Sequence, residues 1–193
     1  MDFNELADVF SKLEATTKKL KKSEIIAAFL RQVKYQEIES VIWLMMGRVF
    51  PSYDKQNLGF SSALMIKAIA KCTLSSLTEI HEELNKVGDL GDVAQKILQS
   101  KKQATLTSEV LTINRIIQNL SKLPDFQGKA AVDQKINTVI ELINNAYRKE
   151  VKYIIRIILE ELRIGVSEGI LRDAFALAYN QAKSEIEKSF NIS

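Results

Sequence analysis

Histidine and cysteine each occur once in this chain of 193 residues, proline twice and glycine seven times. These scarcities remove whole classes of function. A zinc site takes about four converging Cys or His ligands, or three and an open position, so His81 and Cys72 cannot build one. A lone cysteine closes no internal disulfide, and Cys72, at the end of the apolar stripe in KAIAKCTL, is expected to be a core or half-buried thiol. His81, in LTEIHEEL, is expected at the surface or its boundary rather than as a base or ligand. The phosphate loop GxxxxGK followed by Ser or Thr, the dinucleotide turn GxGxxG and the nucleophile elbow GxSxG are all missing. Glu82–Glu83 and Glu160–Glu161 are neighbours that diverge by about 100° on a helix, so neither pair converges on one site. No apolar run approaches the ~18 residues of a bilayer span, and no signal peptide opens the chain. A soluble cytoplasmic protein with no membrane partner is expected. The net charge of +3, from 27 Lys and Arg against 24 Asp and Glu, is too small to imply a polyanion partner by itself. Any basic surface must come from local arrangement.

What remains is helix-forming. Hydrophobic residues make up 46% of the chain, and leucine, isoleucine, alanine, lysine and glutamate dominate. The expected fold is all-α, a compact multi-helix array of about ten to twelve helices, forming a single domain over residues 1–193. Asp2 is placed to cap a first helix carrying Phe3, Leu6, Val9, Phe10 and Leu13 at helical spacing. Ser23 is placed to cap a second, and a third, from about Gln36, stops at Gly47. Ser61 begins a helix through KAIAK, and Ser76 with Glu79 has capping-box spacing. GDLGDVAQKIL predicts a tight turn and a short helix. Residues 100–112 lack periodicity and read as an exposed loop or arm. A helix from Ile113 to Leu123 follows, then a loop bounded by Pro124 and Gly128. VKYIIRIILEEL predicts one further helix, and the last runs from about Glu168 into AKSEIEKSF.

Between those last two helices lies LRIGVSEG, residues 162–169. A bare turn needs only the glycine, yet an arginine precedes it and a serine follows. Gly165 permits close backbone approach, Ser167 is a good N-cap, and the helix starting there offers free N–H groups, the makings of an anion site. Arg163 stands beside them. On a helix, Lys149, Lys152, Arg156 and Arg163 fall at spacings of three, four and seven and form one basic stripe opposite an apolar arc. That stripe suits a solvated face as well as a phosphate backbone. Two more basic junctions repeat the theme: TTKKLKKS (16–23) puts four lysines, Lys18 and Lys19 among them, between the first two helices, and QGKAAVDQK places Gly128 and Lys129 at a helix start with Lys135 about two turns in. Each alone could serve solubility, but three together are more simply explained by a phosphate backbone.

VKYIIRIILEELRIGVSEGILRDAFA resembles the signature of the N-terminal DNA-binding domain of ATP-dependent DNA ligases, especially archaeal ones. FNELADVFSKLEATTKK is similar to that family's opening helix. GRVFPSYDKQNLGFSSALMIKAIAK resembles its Gly-Arg, Pro, Leu-Gly and Ile-Lys-Ala-Ile-Ala segment, VGDLGDVAQ its Gly-Asp-x-Gly turn, and KSFNIS the stretch leading to the nucleotidyltransferase domain. The departures are Phe60-Ser61-Ser62, where the family has a Gly/Glu-containing turn, and Phe190, where tyrosine is common.

The resemblance implies a parent enzyme that adenylates a lysine with ATP, transfers AMP to the 5′-phosphate of a nick and seals it with a divalent metal such as Mg, in DNA replication, repair and recombination. The adenylated lysine lies in Lys-x-Asp-Gly, which does not occur here. The expectation is therefore a non-catalytic, cofactor-free binding domain, monomeric and nucleoid-associated. Its partners would be nicked duplex DNA, held in the minor groove, and the adenylation domain of its own parent chain. Carried over by the resemblance, Arg163, Gly165 and Ser167 match the turn at the groove, Gly128, Lys129 and Lys135 a second phosphate-contacting helix start, and Lys18 with Lys19 a third. Gln103 and Leu106 have the Gln-x-x-aliphatic spacing of sliding-clamp ligands, although Glu109 and Val110 stand where aromatics are expected. A helical interaction module whose main partner is a sliding clamp is the alternative reading, and an ordinary loop explains the same residues.

Overall fold

A computed structural model describes residues 1–51, 53–54, 56–100 and 110–180. The described chain is all-α: α1 (Phe3–Glu14), α2 (Lys19–Leu30), α3 (Ile38–Met45), α4 (Ser62–Thr73), α5 (Leu77–Val87), α6 (Leu90–Ser100), α7 (Ile113–Leu120), α8 (Ala131–Asn145), α9 (Arg148–Ile158) and α10 (Glu168–Tyr179). Short 3-10 turns at Tyr35–Glu37 and Leu123–Asp125 complete it. The expected multi-helix array is present.

The core centres on α9, where Val151 and every residue from Tyr153 to Ile158 are buried. Phe10 of α1 meets the Tyr153 ring edge-on at 5.3 Å and Phe3 at 6.4 Å, so aromatic edges join the first helix to the ninth. Helix α6 lies along α9, α4 against α8, and α2 along α10. The N-terminal residues are tied down by main-chain bonds, from Phe3 N–H to the Leu111 carbonyl at 2.8 Å and from Ile113 N–H to the Met1 carbonyl at 3.1 Å.

Several helix starts follow local chemistry. The Ser61 and Ser76 hydroxyls accept from the N–H groups of Leu64 and Glu79, at 3.4 and 3.1 Å, and Asp2 holds the N-cap position of α1 without a side-chain bond. Cys72 lies in the core, and burial pushes its thiol up to about 12. His81 is exposed.

Three boundaries differ from expectation. Helix α2 begins one turn before Ser23, with Lys18 at its N-cap. Ser23 is buried inside the helix, and its hydroxyl lies 3.3 Å from the carbonyls of both Lys19 and Ile170. Helix α7 stops at Leu120 and hands over to the 3-10 turn at Leu123. Helix α9 ends at Ile158, four residues short of Leu162. The continuation of the last helix past Asn180 lies outside the described residues.

Helices α2 and α10 run in the same direction. At one end Ser23 meets Ile170. At the other Arg31 donates to the carbonyls of Leu177 (2.6 Å) and Ala178 (3.3 Å), satisfying the exposed acceptors of the α10 C-terminus. The starts of the two helices therefore lie side by side.

Candidate nucleic-acid interface

The chain leaves α9 through a Schellman turn. Glu160 N–H donates to Ile157 O (3.0 Å), Glu161 N–H to Arg156 O (2.8 Å), and Glu160 takes the left-handed φ of +57°. Helix α3 ends the same way, with Gly47 (φ +70°) donating to Leu44 O at 3.0 Å and Arg48 to Trp43 O at 2.8 Å. The two turns pack together, since a Cβ on Gly47 would lie 3.2 Å from Leu162 Cβ. Between them is a depression of about 320 Å³ lined by Met45–Gly47 and residues 160–166. It shares Gly47 and Glu160 with a second cleft, of about 190 Å³, that runs past Arg48 and Pro51 to Leu58.

Gly165 does allow a close approach, but by the protein's own Lys22. The Lys22 ammonium is buried, donates to the carbonyls of Ile164 and Gly165, the latter at 3.1 Å, and would lie 2.5 Å from any Cβ at position 165. Burial lowers its pKa. Its charge sits behind the turn and takes up carbonyl oxygens that would otherwise present negative dipole ends. Among the described residues no acceptor meets the backbone N–H groups of residues 163–167. Ser167 occupies the N-cap position of α10, with its main-chain carbonyl bonded to Leu171 N–H (3.1 Å) but no side-chain cap bond.

The other candidates fall around this turn unevenly. Lys18 and Lys19 are exposed at the start of α2, one turn before Lys22, and so flank residues 164–165. Lys135, in α8, is half-buried and donates to the carbonyls of Leu58 (3.3 Å) and Gly59 (3.2 Å), fixing the far end of the second cleft. Gly128 (φ +81°) and Lys129 are exposed just ahead of α8, and among the described residues no hydrogen bond joins them to the turn. Arg163 is half-exposed, with a left-handed φ of +55°. Its Nη1 donates to Gly88 O at 3.2 Å and lies 3.4 Å from an Asp89 oxygen, while Nη2 pairs with Glu161. Gln103 and Leu106 lie outside the described residues.

The basic stripe is not a free cationic face. Lys149 pairs with Asp8, Lys152 with Glu14 (3.0 Å) and Asp92 (2.8 Å), and Arg156, only 5% exposed, with Glu14, Asp89 and Asp92 at 3.0–3.1 Å. These cations lock α9 to α1 and α6. Burial opposes the Arg156 charge, but the carboxylates of Asp89 and Glu14 outweigh it and raise its pKa. Glu14 is held below the usual carboxylate range, the bonds from Lys152, Tyr153 and Arg156 overriding the opposing effect of burial. Arg163 is not a member of the stripe, because the helix ends before it.

Two residues of the surface were not legible as such. Lys22 read as one of four lysines in a junction between helices, there for a phosphate backbone or for solubility, but once α2 starts at Lys19 its spacing to Ile26, Phe29 and Leu30 puts it on the buried face. Arg48 is exposed on the wall of the second cleft, with its guanidinium unpaired among the described residues. Its signals were its place behind Gly47, which has a left-handed φ of +70°, and its membership of the Gly-Arg element of the resemblance.

Fold and surface together define an all-α domain in which the exposed Lys18 and Lys19 at the start of α2 lie near the turn that leads into α10. The family follows from its relatives: the chain matches the DNA ligase N terminus over residues 2–176 and belongs to that family. It is similar to the DNA ligase of Methanothermobacter thermautotrophicus, 40% identical over 187 residues that cover 97% of this chain and 34% of the relative. The DNA ligase of Nanoarchaeum equitans is 41% identical over 192 residues, covering 100% and 34%. That of Nitrosopumilus maritimus is 33% identical over 196 residues, covering 100% and 33%. The chain thus spans about a third of the length of the curated relatives it matches. No helix among the described residues is long and apolar enough to cross a membrane.

Proposed function

We propose that residues 1–193 are the DNA-binding domain of an ATP-dependent DNA ligase and grip nicked duplex DNA through the minor groove and phosphate backbone, without reading base sequence. The observation that carries this reading is the 163–167 turn, in which Lys22 holds the carbonyls of Ile164 and Gly165 and whose N–H groups meet no acceptor among the described residues. A phosphate oxygen supplies the acceptor that such a turn lacks. Lys18 and Lys19 flank it, and Arg48 and the Lys135-anchored loop continue the same edge along the second cleft. Gly128 and Lys129 give a second helix-start contact on α8. In this reading adenylation by ATP, the divalent metal and nick sealing belong to the catalytic part of the parent ligase, and this domain holds the duplex for it.

Backbone contacts release counterions, so affinity falls steeply with salt. The test is a titration of nicked duplexes of two unrelated sequences at low and moderate salt, for the wild-type protein and for Arg163→Glu. Both sequences should bind alike. Arg163→Glu should weaken binding about ten-fold and flatten the salt dependence by at least about one charge. Equal binding by both proteins, or binding indifferent to salt, would reject the proposal.

A further inference from the structure

The two ends of the Arg163 guanidinium meet different carboxylates. Nη1 faces Gly88 O (3.2 Å) and Asp89 (3.4 Å), and Asp89 is only 8% exposed. Asp89 cannot easily move. Both its oxygens lie 3.1 Å from Arg156 Nε, and Oδ1 also accepts from Asp92 N–H at 2.9 Å, at the start of α6. Its charge is answered by Arg156, so it does not confront a nearby phosphate as a bare anion. Nη2 faces Glu161, which is 51% exposed and has Arg163 as its ion-pair partner among the described residues.

We infer that Asp89 is a positioning residue that aims Arg163 at the DNA backbone, and that Glu161 is an internal counter-ion standing where a phosphate oxygen arrives. This inference rests on the DNA-binding reading and adds how its arginine is presented. A guanidinium is a planar fork, so fixing one end fixes the direction of the other. The Asp89 end spares the side chain its search through rotamers on binding. The Glu161 end is solvated, held by a pair of the kind that contributes little, and is therefore exchangeable. Its carboxylate presents the oxygen geometry that suits bidentate arginine and that a phosphate shares. The two acids consequently act with opposite sign: removing the charge of Asp89 weakens DNA binding, and removing that of Glu161 strengthens it.

The experiment titrates a nicked duplex at fixed low salt against the wild type, Asp89→Asn, Glu161→Gln, Arg163→Ala, and each acid variant combined with Arg163→Ala. Asparagine retains an oxygen for the α6 start. Asp89→Asn should weaken binding about three- to ten-fold when Arg163 is present and less than about two-fold when it is absent. Glu161→Gln should tighten binding about two- to five-fold, and most of that gain should disappear in the Arg163→Ala background. A merely structural Asp89 would weaken binding equally in both backgrounds, and that result overturns the aiming role. Unchanged or weaker binding by Glu161→Gln overturns the counter-ion role, and this variant, at an exposed position, keeps the test decisive even if Asp89→Asn fails to fold. If Arg163→Ala binds as tightly as the wild type, the DNA-binding reading of this turn fails and the inference falls with it. If Arg163→Ala weakens binding and neither acid couples to it, the inference alone fails.

Discussion

Replacing Gly165 by alanine tests the turn at its most constrained point. Two costs add. The residue has φ of +63°, which an L side chain adopts at about 1 kcal/mol or slightly more. The new Cβ would also lie 2.5 Å from the Lys22 ammonium. That ammonium ends a flexible chain and can move aside, but only by giving up its bonds to Ile164 O and Gly165 O inside a buried site. Hydrogen bonds to a charged group contribute about 1.5–3 kcal/mol, so the whole loss should be about 3–4 kcal/mol. For a chain of this length that corresponds to a fall of roughly 10 °C in Tm. Gly128→Ala supplies the control, because Gly128 has φ of +81° but nothing within 4 Å of its would-be Cβ, and it should lose only about 1 kcal/mol. Urea and thermal unfolding of the two variants, together with Lys22→Met and the Lys22→Met/Gly165→Ala pair, measure the difference. The pair should be less damaged than the sum of its parts, since with Lys22 gone the clash has no partner. Equal losses for Gly165→Ala and Gly128→Ala, or additive losses in the pair, would refute the account of Lys22 as the group that shapes the turn.

Two further outcomes follow from buried charge. Glu150 is almost wholly buried, has one oxygen without a hydrogen-bond partner and the other on Tyr147 N–H, and burial pushes its carboxyl up to about 7, with a smaller push from Asp2. A folded-state pKa above the unfolded value means the folded protein holds the extra proton, so stability is full below the unfolded pKa near 4.5 and is lost as pH rises through about 7. Glu150→Gln should therefore be more stable than the wild type at pH 8, by on the order of 2 kcal/mol, and should flatten the stability profile between pH 5 and 8; a parallel profile in urea melts across that range contradicts it. Arg156→Met should cost about 3–5 kcal/mol, because it strands the carboxylates of Asp89, Glu14 and Asp92 in a partly buried site, and a loss below about 1 kcal/mol in chemical denaturation would show that the network contributes little.

Local signals were readable from the residues alone because each depends on near neighbours. The apolar spacing of Phe3, Leu6, Phe10 and Leu13, the caps at Ser61 and Ser76, the αL stop at Gly47 and the punctuation around Gly165 all correspond to observed features. The partner of each charge was not readable, because opposite charges far apart in sequence meet only when helices pack. Lys152 and Arg156 looked like a surface stripe until α1 brought Glu14, and α6 brought Asp92, against them. Lys22 read as part of a basic junction between helices until α2 and α10 aligned and turned its ammonium onto the carbonyls of Ile164 and Gly165. Helical spacing determines which side chains share a face, through bond geometry within a few residues. Whether that face meets water, a carboxylate or a bare carbonyl is decided by tertiary packing, since burial and long-range pairing are properties of the assembled core.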